Sequence, residues 1–163
     1  MRDYDEILVS LRRITRAIDL HSKHLEKTSG ITTSQLLVLE ATSRLGNPSP
    51  SAIAREVMLS QATVTHILDR LAKAGLIDRA KRSEDKRLVT ITLTEKGRKR
   101  TDDAPELLQD GFLREYRKLP DWQRTMLVAS LQQIAFMMDA EELDASPILA
   151  TGEIGANDQE SAE

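Results

Sequence analysis

Apolar residues recur at intervals of three and four through most of this chain and alternate at intervals of two in one short stretch. Ile7, Leu8, Leu11, Ile14, Ile18 and Leu25 predict a helix over 4–27, with Arg12, Arg13, Arg16, Lys23 and Lys27 on much of the remainder and Gly30 as its stop. Leu36, Leu37, Val38, Leu39 and Ala41 predict a second helix to about Leu45, capped by Thr32 or Thr33 and ended at Gly46. Gly46-Asn47-Pro48-Ser49-Pro50 is turn chemistry, with Ser49 suited to an N-cap and Pro50 to the first helical position, which needs no amide. A short helix over 51–58 then buries Ile53, Ala54 and Val57. Ser60 caps the next helix, over 61–74, and Gly75 ends it. Val64, Ile67, Leu68 and Leu71 form a single stripe on that helix, while Gln61, Thr63, Thr65, His66 and Arg70 lie off it.

Beyond Gly75 the period falls toward two. Residues 76–80 predict a short strand, 81–86 a polar loop, and Val89, Ile91 and Leu93 alternate with Thr90 and Thr92 in a strand from 87 onward. The pair makes a β-hairpin with a charged tip. Thr94 caps a helix over 95–116, bent near Pro105 and Gly111, and Pro120-Asp121 opens a last helix to about 143 with Leu127, Leu131, Ile134 and Met138 along one side. From residue 145 both periodicity and basic residues disappear, the pattern of an acidic flexible tail over 145–163.

Composition narrows the chemistry. Aromatic residues are 3% of the 163, so the core must be aliphatic. The absence of cysteine excludes disulfides, a cysteine zinc site and a thiol nucleophile. No apolar run has the length of a membrane span and the N-terminus has no signal-peptide profile, so a cytoplasmic protein without membrane contact is expected. His21, His24 and Glu26 lie close on one helix, but a complete metal site would need several more carboxylates, and a solvated or dimer-facing surface is the simpler reading. No carboxylate pair, Gly-rich phosphate loop or nucleophile triad stands out, so neither an enzyme nor a cofactor is expected.

Charge is informative once divided. The whole chain is at -3, yet residues 48–100 hold 12 basic and 6 acidic side chains, whereas 139–163 hold 8 acidic and none basic. Affinity for a polyanion depends on where the cations sit, since only nearby phosphates release counterions. Two short helices joined by a tight turn, followed by a basic two-stranded hairpin, describe a winged helix-turn-helix. The second helix offers short polar side chains at its N-terminal end for a major groove, and the hairpin carries Arg79, Lys81, Arg82, Lys86 and Arg87 toward adjacent phosphates or the minor groove. The Lys/Arg run at 96–100 is either a solvated helix face or a set of supporting phosphate contacts. The flanking helices have apolar stripes that nothing else in the chain is large enough to cover, which predicts a homodimer. Its two recognition helices would stand roughly 34 Å apart on duplex DNA and read a pseudo-palindrome.

The chain resembles the MarR family of bacterial transcriptional regulators over roughly residues 4–143. The residues that carry the resemblance are Thr32-Thr33-Ser34-Gln35 with Leu39, Ile53-Ala54, Leu59-Ser60-Gln61-Ala62-Thr63-Val64-Thr65, Leu68-Asp69-Arg70-Leu71, Gly75-Leu76-Ile77, Asp85-Lys86-Arg87 and Leu93-Thr94-Glu95-Lys96-Gly97, all in register. It implies a mainly α fold: an N-terminal dimerisation helix over 1–30, a winged helix-turn-helix with a two-stranded β wing over 31–100, and C-terminal dimerisation helices over 101–144. It also implies a repressor of transcription that releases DNA on a signal, without catalysis. Ser60, Gln61, Thr63, Thr65, His66 and Arg70 match the recognition-helix surface, and Asp85 and Arg87 match a wing Asp-x-Arg in which the aspartate steadies a DNA-reaching arginine. His66 stands where many relatives carry arginine, which implies a mildly pH-sensitive contact. A narrower resemblance, in 17–22 and 137–147, is to regulators of ectoine and other compatible-solute genes, and implies an osmotic or ionic signal. The alternatives are relief by a small-molecule effector, whose site the sequence leaves unknown, and a winged-helix protein-interaction module without DNA binding.

Overall fold

A computed structural model of the chain describes residues 2–82, 85–141 and 148–151, of which 81–82 and 85–88 are described by their backbone alone. The first helix, α1 (Asp3–Ser29), stops where Gly30 turns left-handed at φ 67° and its amide returns to the Glu26 carbonyl at 2.8 Å. Thr32 then accepts the Gln35 amide while the Gln35 side chain accepts the Thr32 amide at 3.0 Å, a reciprocal cap that opens α2 (Thr33–Leu45). Ser49 accepts the Ala52 amide at 3.2 Å and Pro50 fills the first position of α3 (Pro50–Val57). Ser60 opens α4 (Gln61–Lys73) through the Thr63 amide at 3.1 Å. At its far end Gly75, with φ 69°, lets the Leu76 amide reach back to the Leu71 carbonyl at 2.9 Å.

The strands β1 (Ile77–Arg82) and β2 (Asp85–Leu93) pair antiparallel from Ile77↔Leu93 to Lys81↔Val89, with an irregularity between Lys81 and Arg82. Their base is fixed by the Ile91 amide, which donates to the Pro48 carbonyl at 2.8 Å in the turn before α3. Thr94 caps α5 (Glu95–Asp102) through the Gly97 amide at 3.0 Å.

The chain divides into two compact units, one comprising residues up to Pro105 together with those from Leu149, the other Glu106–Ile148. The first is a winged helix-turn-helix with an aliphatic core. Leu25 of α1, Leu36 and Leu39 of α2, Ile53 of α3, Ile67, Leu68 and Leu71 of α4 and Ile91 of β2 are all essentially removed from solvent. At about 25 cal/mol per Å² of apolar area this burial is the main stabilising term of the unit. The second unit contains α6 (Leu108–Tyr116) and α7 (Asp121–Met137), neither of which has a buried residue. Phe112 stacks on Tyr116 at 5.6 Å between centroids, and Arg124 lies over the Tyr116 ring while its Nε donates to the Leu119 carbonyl at 2.8 Å. Glu106 pairs with Arg114, and the hydrogen bond from that guanidinium holds the Glu106 carboxyl below its ordinary pKa.

Three boundaries differ from the sequence expectation. The helix expected over 95–116 is broken after Asp102, because Pro105 has no amide and disfavours helical backbone at Ala104; Gly111, the other expected weak point, sits within α6. The last helix ends at Met137 rather than near 143. Asp139 adopts φ 52° and the Ala140 amide closes onto the Ala135 carbonyl at 2.9 Å, a left-handed cap made without glycine. The strands extend further toward the tip than the expected 81–86 loop allowed, since ladder bonds need only backbone groups and the polar side chains there hide the period. Of the expected tail, residues 145–147 and 152–163 lie outside the described residues, and Ile148 is buried.

Candidate nucleic-acid interface

The four apolar side chains of α4 are almost wholly buried, and this fixes which way its polar side chains face. Gln61, Thr65, His66 and Arg70 are exposed and Thr63 is half-buried, all on the side away from the core. Within this group the hydroxyls are already engaged. Ser60 Oγ lies 2.8 Å from Thr63 Oγ1 while capping the helix, and Thr65 Oγ1 donates to the Gln61 carbonyl at 2.8 Å. The Gln61 carboxamide and the His66 ring bond to no other described residue and keep their hydrogen-bonding capacity for a partner. The N-terminus of a 13-residue helix also carries partial positive charge, which favours a phosphate beside Ser60 and Gln61.

The wing stands beside this surface. Arg79, one of the cations expected to reach nucleic acid, donates to Asp69 Oδ1 of α4 at 2.6 Å, an ion pair that ties β1 to α4. Arg82 and Asp85 face one another in the strand register, but the side chains of Arg82, Asp85, Lys86 and Arg87 lie outside the described residues. Pro50, Thr65, Leu68, Arg79, Ala80 and Val89 line a shallow cavity of about 260 Å³ between the start of α3, α4 and the wing.

The cations of α5 divide between two roles. Lys96 Nζ donates to the Ala74 carbonyl at 2.8 Å and Arg100 donates to the Ser29 carbonyl, both at helix C-termini, whereas Lys99 is exposed and Arg98 lies 3.5 Å from Glu95. Asp69, Lys96 and Arg100 therefore support the site, and the sequence does not single them out. Asp69 sits on the flank of the stripe with an ordinary charge, and its partner lies ten residues away in a different element. Lys96 and Arg100 read from sequence as members of a surface run. Among the described residues no group of three or more His, Asp or Glu comes together as a metal site, and no helix is long and apolar enough to cross a membrane.

Comparison with known proteins places this geometry. A sequence profile of the MarR family matches residues 31–89. The chain is 28% identical over 110 residues to the HTH-type transcriptional regulator YdgJ of Bacillus subtilis (strain 168), covering 68% of this chain and 65% of that one. It is 29% identical over 92 residues to the HTH-type transcriptional repressor MdtR of the same organism, covering 56% of this chain and 59% of that one. The chain thus spans less than two thirds of the length of these curated relatives. Among solved structures, that of reduced AbfR bound to DNA superposes with a TM-score of 0.51 at 26% identity, over 83% of this chain and 94% of that one. The matched segment is the helix-turn-helix and most of the wing just described, so residues 31–89 of this chain are similar to the MarR family.

Proposed function

We propose that this protein is a sequence-specific DNA-binding regulator of transcription, a repressor that grips a pseudo-palindromic duplex as a homodimer in the cytoplasm. The observation that carries the reading is the two-sided character of α4. One side is locked in an aliphatic core, and the other presents Gln61, Thr65 and His66 beside a cationic wing. Gln61 and His66 read base edges, since their side chains keep donor and acceptor capacity, and Arg70, Arg87 and the α4 N-terminus hold phosphates. The names of relatives support regulation and repression, and the AbfR complex supports duplex DNA as the partner. No step of catalysis enters this reading.

The signal is osmotic or ionic, acting on compatible-solute genes, a reading supported by the resemblance in 17–22 and 137–147. A second reading, relief by a small-molecule effector, is favoured by the cavity beside the Arg79–Asp69 pair, which is just below the usual range of ligand-site sizes and lined largely by apolar side chains.

The test is binding of the purified protein to the DNA upstream of its own gene, and to a random fragment, across a salt titration. Specific binding with a steep salt slope is expected, with release near physiological salt if the signal is ionic. Arg87→Ala is expected to weaken binding to every sequence and lower the salt slope by about 1, whereas Gln61→Ala changes the preference among sites. Binding no tighter than to the random fragment, even after selection from a genomic library, overturns the reading.

A further inference from the structure

The short helix α5 is tied at both ends to other helices of its unit. At its start, Thr94 Oγ1 donates to the Gly75 carbonyl at 2.8 Å, Lys96 Nζ donates to the Ala74 carbonyl at 2.8 Å, and Gly97 sits so close that a Cβ there would run into the Leu76 carbonyl oxygen. These contacts hold the C-terminal end of α4. About one turn on, the half-buried Arg100 donates to the carbonyl of buried Ser29, the last residue of α1. We infer that α5 is a strut between the recognition helix and α1, and that Arg100 is a positioning residue that sets which half-site spacing the protein accepts. This rests on the DNA-binding dimer proposed above.

The physical argument is leverage. Of the 27 residues of α1 only Leu25 and Ser29 are buried, so the helix leaves the winged unit from its C-terminal end. Further along, Tyr4, Ile7, Leu8, Ile14 and Leu20 are exposed, the face that the proposed dimer would use. The helix is about 40 Å long, so a tilt of about 5° at its root displaces the far end by about 3 Å, close to one base-pair step. Apolar contacts at Leu25 and Ile31 are non-directional and tolerate such a tilt. A guanidinium bonded to a helix-terminal carbonyl is directional and resists it. Removing that bond leaves the base-reading surface of α4 intact while loosening its angle to α1.

The experiment uses the full chain and a half-site pair recovered by selection from random duplexes, rebuilt with the two halves moved apart or together by one and two base pairs. Wild-type protein is expected to favour one spacing by about tenfold or more, equivalent to about 1.4 kcal/mol. Arg100→Gln is expected to cut that preference severalfold with little change at a single half-site, and Arg100→Lys, which still donates to the carbonyl, is expected to retain it. Lys96→Gln, at the other end of the strut, is expected to act like Arg100→Gln and serves in its place if that variant does not fold. An unchanged spacing preference in these variants, or an equal loss of affinity at every spacing, overturns the inference and leaves DNA binding standing. A wild-type protein that selects no sequence overturns both.

Discussion

Met58 closes α3 in a left-handed conformation, φ 53°, with its side chain 70% exposed at the turn between the two helices of the motif. A residue with a Cβ pays roughly 1 kcal/mol for that backbone, and an exposed methionine regains little from packing. Met58→Gly is therefore expected to raise stability by about 0.5–1 kcal/mol, and Met58→Val, whose branched Cβ worsens the crowding, to lower it. Urea midpoints at constant slope measure both. In the core the sign is unambiguous. Leu68, on the core-facing side of α4, is 1% exposed, and Leu68→Ala is expected to cost about 2–5 kcal/mol in the same assay. Single residues were also where the sequence was most legible. Ser60, Thr32, Ser49 and Thr94 cap helices through bonds to an amide three positions on, so the partner is fixed by proximity along the chain. Asp69 and Arg79 were not legible as a pair, because whether they meet depends on how β1 leans on α4.

At the scale of elements, the helix-turn-helix followed directly from the spacing of its apolar positions, since one stripe per helix leaves little choice of which side to bury. The elements after the wing were harder. The residues of α5 are mostly charged and carry almost no stripe, so neither its end at Asp102 nor its role in holding α4 and α1 appears in a hydrophobic pattern. What secures α5 is close approach of backbone to backbone, and glycine is the residue that permits it. Gly97 is buried, and an added Cβ would meet the Leu76 oxygen well inside contact distance. Gly97→Ala must therefore push α5 away from the end of α4 and disturb the Thr94 and Lys96 bonds. The expected cost is about 1–3 kcal/mol by thermal or urea unfolding, against the small gain that alanine brings to an exposed helix interior. A neutral or stabilising outcome would mean that α5 does not pack on the Leu76 carbonyl in solution.

For the whole molecule, what matters is how much apolar surface a single chain leaves exposed. In α7, Trp122, Met126, Leu127, Val128, Leu131, Phe136 and Met137 are all exposed, on several sides of the helix, and a helix apolar around much of its circumference belongs in an interior. The exposed apolar face of α1 makes the same demand on the first unit. A second copy of the chain would meet both, which is why we expect a homodimer. Leu131→Glu tests this with a charge that water tolerates and an interface does not. In the monomer Leu131 is 52% exposed, so the substitution leaves the fold of each unit nearly unaffected. In a dimer that covers α7 it strands an unpaired carboxylate in apolar surroundings. Sedimentation at micromolar concentration is expected to show the wild type dimeric, with Leu131→Glu self-associating at least about tenfold more weakly, a shift of about 1.4 kcal/mol. Because a dimer engages two half-sites at once, the variant's affinity for a paired site is expected to fall toward that for a single half-site, while its half-site affinity stays unchanged. A variant that remains dimeric and keeps its paired-site affinity would move the interface off α7 and onto another surface, with α1 the next to be substituted.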